Sequence, residues 1–291
     1  MLWDSIAEGI TNWIKGILIS AIESSMQSLF SSVSTQAGTA AAVIGQSPSD
    51  AMGGSVLTLI QNISETVIMP IAGIILTFVA CYELITMVTE HNNLANLDTW
   101  IFFKWVFKTA AAALIISNTF NIVMGVFDVS QYVIGQASGV ISTETSVSSI
   151  NMDALDASLQ AMDVGPLLGM LITAQLMQLI MPIISVVITV IIYARMIQIY
   201  LMVSLAPVPM ATFGSREISH VGKNFVRSLL ALAFQGFLML VCIGIYAMLL
   251  KNMTVSDDVI GYAWSVIGYS FLLIVTLIET GSISKSIFDA H

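Results

Sequence analysis

One stretch constrains this chain more than any other. From residue 166 to 213 the sequence is almost unbroken aliphatic, ends in "YARMIQIYLMVSLAPVPMATF", and carries one charge, Arg195, with Pro182 as the other interruption. A bilayer core of about 30 Å takes about 20 apolar residues per helix, so this run is too long for one span and a little short for two. Four further stretches reach spanning length, at 63–89, 100–122, 225–250 and 259–278. With 57% hydrophobic and only 9% charged residues, against about 25% charged in soluble domains, the chain cannot cover a water-facing surface. Lipid is the solvent for much of it, and the expected fold class is all-α, a polytopic membrane protein.

The charges suggest a topology. Segment 128–163 holds five acids and no Lys or Arg, whereas Arg216, Lys223 and Arg227 crowd one short connection and Lys104 and Lys108 stand at the start of a span. Lys and Arg in short loops favour the cytoplasm. A second crossing between 196 and 213 would carry the 216–227 cations to the wrong side. The expectation is therefore about five spans, N-terminus out and C-terminus in, with Lys285 also cytoplasmic. The stretch 196–213 is then the end of a long tilted helix, or a re-entrant, extended or interfacial segment closed by Ala206, Pro207 and Pro209. Two prolines so close do not fit a straight helix.

Residues 1–62 read as an extracytoplasmic part. Apolar residues at three- and four-residue steps over 2–30 predict an amphipathic helix, weakened near Thr11 and Gly16. The Ser, Gly and Ala-rich stretch 31–58 reads as a flexible connection. Residues 63–291 read as the transmembrane domain, with an outer segment at 123–165 and a cytoplasmic connection at 214–224. Within the outer segment Met152, Leu155, Leu159 and Met162 predict a short amphipathic helix, with Ser148 or Ser149 as cap and Pro166 opening the next helix. Asp4 stands where a cleavable leader has its basic region, so no such leader is expected.

Catalytic chemistry finds no footing. His91, His220 and His291 are isolated, and Cys81 and Cys242 each sit in an apolar run as inert thiols. No metal-ligand spacing, nucleophile elbow or phosphate-binding glycine loop is present. The residues to weigh are charges at the membrane. Lys104, Lys108, Arg195, Arg216, Lys223 and Arg227 are candidates for a cytoplasmic mouth or for lipid headgroups. Glu83 and Arg195 are a candidate intramembrane pair, because a lone charge at depth costs at least about 3 kcal/mol. Gln175, Gln178 and Gln235 are too few for a substrate site and read as interhelical hydrogen-bonding groups. Gly261, Ser265 and Gly268 read as close packing.

The run "YARMIQIYLMVSLAPVPMATF" followed by "REISHVGKNFVRSLLALAFQGFLMLV" resembles the TrbL-like polytopic subunits of conjugative type IV secretion systems of Gram-positive integrative elements. The resemblance covers about residues 165–280. It implies a cytoplasmic-membrane channel or scaffold subunit, assembled as a ring-shaped homo-oligomer beside secretion ATPases and a coupling protein, during transfer of single-stranded DNA with its relaxase. It implies no cofactor; structural lipids are expected. A small secondary transporter would show internal repeats and mid-bilayer polar groups, and five spans exceed what a pore-forming lysis protein or toxin needs.

Overall fold

A computed structural model describes residues 2–90, 99–144, 152–253 and 259–290. Among these every regular element is helical. They are α1 (Leu2–Ile44), α2 (Pro48–Ala51), α3 (Gly54–Ile63), α4 (Met69–Glu90), α5 (Thr99–Ser117), α6 (Thr119–Glu144), α7 (Met152–Gln160), α8 (Val164–Leu205), α9 (Pro207–Met210), α10 (Ser219–Lys251) and α11 (Val259–Ile287). Among the described residues four helical stretches are long and apolar enough to cross a membrane, and five if α5 and α6, bent by 65° at Asn118, count as one broken span. This is an all-α polytopic membrane protein.

The helices sort into two compact units. The first comprises Met1–Ile44, Ala137–Ile192 and Met239–Glu279. Here α1 buries one stripe, Leu18, Ile22, Met26, Leu29, Val33, Ala40 and Ile44, at helical spacing. That stripe explains a departure from expectation. The Ser/Gly/Ala-rich stretch from 31 continues α1 to Ile44, because packing along one face outweighs the weak propensity of its polar residues. The helix also passes Thr11 and Gly16 without a break, and the Thr11 hydroxyl is satisfied by donating to the Ala7 carbonyl at 2.8 Å. The predicted amphipathic helix at 152–162 is α7, with Leu155 and Leu159 buried; its suggested cap at 148–149 lies outside the described residues. Gln175 and Gln178 of α8 donate to the Ser25 hydroxyl and carbonyl at 3.1 and 3.3 Å, the interhelical role the sequence suggested. Lys15 meets Asp163 at 3.5 Å.

The second unit comprises Gly45–Gln136, Tyr193–Leu238 and Thr280–His291. Its larger core joins Phe120, Val123 and Phe127 of α6 to Met196, Ile199 and Val203 of α8, Ala206, Met210, and Leu229 and Ala233 of α10. Residues 123–127, read from sequence as the start of an outer segment, are therefore core. The connection 45–53, read as flexible, is pinned: Gln131 donates to the Gln46 carbonyl at 2.8 Å and the buried Tyr200 hydroxyl to the Pro48 carbonyl. Gln235 reaches Thr280 Oγ1 at 3.5 Å.

The stretch 196–213 is not extended. Helix α8 runs unbroken past Pro182 and Arg195 to Leu205. Ala206 keeps helical dihedrals, Pro207–Met210 form one new turn, and Ala211–Gly214 a tighter 3₁₀ turn. Pro207 and Pro209 are tolerated because they sit in a first turn, whose N–H groups have no intrahelical acceptor.

Candidate functional site

The basic connection after α9 is held by a carboxylate the sequence assigned elsewhere. Glu83, in the second half of α4, lies 3.1 Å from Lys108 Nζ on α5, and its other oxygen accepts from the backbone N–H of Arg216. One helical turn separates Lys104 from Lys108, so the two share one face of α5. Beside it, the Tyr82 hydroxyl donates to Glu217 at 2.8 Å and Trp105 Nε1 to the Ala80 carbonyl at 3.0 Å. Ser215 Oγ accepts from the Glu217 and Ile218 N–H groups and so holds the turn that leads into α10. Thr212 Oγ1 donates to the Pro209 carbonyl at 2.8 Å and accepts from Gly222 N–H at 3.0 Å. A Cβ on Gly222 would stand 2.8 Å from that same carbonyl, so glycine alone permits α10 to start this close.

Arg195 lies elsewhere and meets no charged group among the described residues. It is 1% exposed, and its Nε and Nη2 donate to the carbonyls of Leu232 and Ala233 on α10 at 3.4 and 3.2 Å. Ser130 of α6 donates to the same Ala233 carbonyl, while Nη1 is buried with no partner among the described residues. The expected Glu83–Arg195 pair is thus corrected. Glu83 meets Lys108 of α5 and the backbone N–H of Arg216, whereas Arg195, ten residues before the end of α8, finds only helix backbone. Gly236 leaves the space in which Arg195 reaches those carbonyls. A Cβ there would come within 2.6 Å of Nη2 and 2.9 Å of Ile134 Cδ1.

The remaining candidates separate by neutralisation. Lys108 is paired with Glu83, and Arg227 with Asp289 at 2.8 Å. Lys104 lies over the Trp100 ring, 5.7 Å from its centroid, and Lys223 is exposed. Around Lys104, Trp100, Phe102, Phe103 and Phe107 are all exposed, an aromatic and cationic collar of the kind found at headgroup depth. No group of three or more His, Cys, Asp or Glu is placed to hold a metal among the described residues; His91 and His291 lie outside them. Sequence reasoning missed Gly236, Ser130 and Gly222. The usable signal was that a glycine inside an otherwise good helix costs about 1 kcal/mol against alanine and needs a packing reason.

These features define a helical multi-pass membrane protein whose polar groups fix helices to one another and to one basic connection. The family model of TrbL/VirB6 plasmid conjugal transfer-like proteins matches residues 33–207, more than half of the chain, and the chain belongs to that family. It is a conjugal-transfer, type IV secretion membrane subunit. The matched interval takes in α8 and the Ala206–Pro207 turn, while the basic connection and α10, which carried the second half of the sequence resemblance, lie beyond it. Comparison with curated proteins and with solved structures gives no match.

Proposed function

We propose that this chain is a cytoplasmic-membrane scaffold or channel subunit of a conjugative type IV secretion machine, working as several copies around an axis to support transfer of single-stranded DNA with its relaxase. The observation that carries the transfer role is family membership over residues 33–207, from the end of α1 through α8. The assembly reading is supported by how little of α4 is covered: only 11% of the apolar window in Gly54–Thr89 is buried, against 44% in Ser219–Lys251. Apolar surface of that extent needs lipid or neighbouring copies against it. Secretion ATPases and a coupling protein are the proposed partners on the side of Arg216, Lys223 and Arg227, and structural lipids fill against the collar at Trp100 and Lys104. The N-terminus lies outside and the C-terminus inside.

Deleting the gene from its element and scoring recipient colonies tests the transfer role, with undiminished transfer overturning it. Native mass measurement in lipid nanodiscs tests the ring, and a strict monomer overturns it. Labelling of single cysteines near each terminus tests sidedness, which fails if both react from one side.

A further inference from the structure

Among the described side chains where α4 meets α5 and the basic connection, the charges cancel in all but one place. Glu83 neutralises Lys108 at 3.1 Å, and on the connection that Glu83 holds Arg216 and Glu217 follow one another. The neutral donors beside them are used as well: Tyr82 donates to Glu217, and Trp105 Nε1 to the Ala80 carbonyl. Lys104 is left. It is exposed, its ammonium meets no carboxylate among the described residues, and it rests over the Trp100 ring, 5.7 Å from the centroid. A ring face attracts a cation without neutralising it.

The surface running from this lysine suits a hydrocarbon chain. Trp100, Phe103, Phe107 and Leu114 fall at helical spacing on one face of α5, and each is more than half exposed. From Lys104 to Leu114 the helix rises about 15 Å. That is half of a hydrocarbon core of about 30 Å, the depth of one leaflet. An unneutralised cation at one end of an apolar stripe is complementary to a molecule with a negative head and an apolar tail. Trp and Lys at the start of a span lie where lipid headgroups lie.

We propose that this face of α5 binds an anionic phospholipid, with the headgroup phosphate on Lys104 beside Trp100 and an acyl chain along Phe103, Phe107 and Leu114. One lysine sets the preference. Lys108, a single turn further on, adds little, because Glu83 already holds its charge. The site deepens the reading that lipids lie against this collar and rests on it. It is independent of DNA transfer, so loss or retention of transfer does not bear on it.

The test uses the full chain with Cys81→Ser and Cys242→Ser, since both native thiols are free, and a fluorophore on Leu114→Cys, an exposed position at the tail end of the stripe. The protein is reconstituted in mixed vesicles of phosphatidylglycerol and phosphatidylcholine, one of the two carrying brominated chains that quench the fluorophore on contact. The expected preference for phosphatidylglycerol is about fivefold, the contribution of one lysine at an anionic surface. Lys104→Gln should abolish it and Lys108→Gln should leave it. Lys223→Gln, an exposed change on α10, gives a second comparison that should also leave it, in case Lys108→Gln does not fold. Equal quenching by the two lipids overturns the inference and leaves lipid at the collar; quenching by neither overturns both. A preference that survives Lys104→Gln, or that the comparison changes remove as fully, also sinks it, since the cations would then act only as a diffuse field. Inorganic phosphate at constant ionic strength should not displace the lipid, and displacement would mean a free-anion site instead. A native mass that falls from several copies to one in Lys104→Gln would place another chain's carboxylate on this lysine and refute the lipid.

Discussion

Arg195 and Glu83 are both charged residues in the same helical unit, and they are handled in opposite ways. Arg195 is 1% exposed and rests on neutral carbonyls of α10. The Glu83 side chain keeps 16% of its surface and meets Lys108, itself 39% exposed, together with one backbone N–H. A cation on fixed backbone dipoles demands geometry: the fork must reach two successive carbonyls, and the residue beneath must lack a side chain. A partly exposed carboxylate demands only nearby donors, and Lys108 Nζ and the Arg216 N–H supply them. The buried site should therefore be intolerant and narrow, and the rim site forgiving.

The largest effect that separates them is Arg195→Ala, expected to destabilise the detergent-solubilised protein by about 3 kcal/mol through lost packing and unpaired carbonyls, read by thermal melting. Arg195→Lys should recover little of it, because a single ammonium cannot span both acceptors; full recovery would show that charge alone matters. Gly236→Ala follows at about 2 kcal/mol, from forcing a methyl against the guanidinium. In the Arg195→Ala background the same change should cost much less, and equal cost in both backgrounds would break the proposed contact. Glu83→Gln should lower stability by only about 1 kcal/mol, as expected for a half-exposed pair. A loss as large as that of Arg195→Ala would erase the distinction.

The smallest effect lies in the first unit and depends on pH. Burial, then the neighbouring Asp156 carboxylate and its hydrogen bond, raise the Glu23 pKa above its ordinary 4.5. A carboxyl that holds its proton more tightly folded than unfolded stabilises at low pH, and that contribution is lost as pH rises from about 4.5 through the raised value. Protection of α7 from proteolysis should weaken across that window, and Glu23→Gln should flatten the dependence.

Most of what was legible came from hydrophobic spacing and length. The runs at 63–89, 225–250 and 259–278 lie within helices, Pro166 falls in the first turn of α8, and the three glutamines bond between helices as their isolation in apolar runs suggested. Arg195 was identifiable as unusual, but its partner was not. Leu232, Ala233 and Gly236 contribute backbone and an absent side chain, neither of which leaves a chemical signature in a sequence. The stretch 31–44 was misjudged because Ser, Thr and Gly are weak helix formers in isolation, while the burial of Val33, Ala40 and Ile44 depends on neighbours far along the chain.

Composition and period alone determined an all-helical chain dissolved in lipid, since apolar content and three-to-four-residue spacing are local properties that no partner is needed to express. Which carboxylate meets which cation, where helices break, and which glycines are obligatory were decided only in three dimensions. Those outcomes depend on close approaches between segments tens of residues apart, whose geometry is set by packing and not by the identity of either residue.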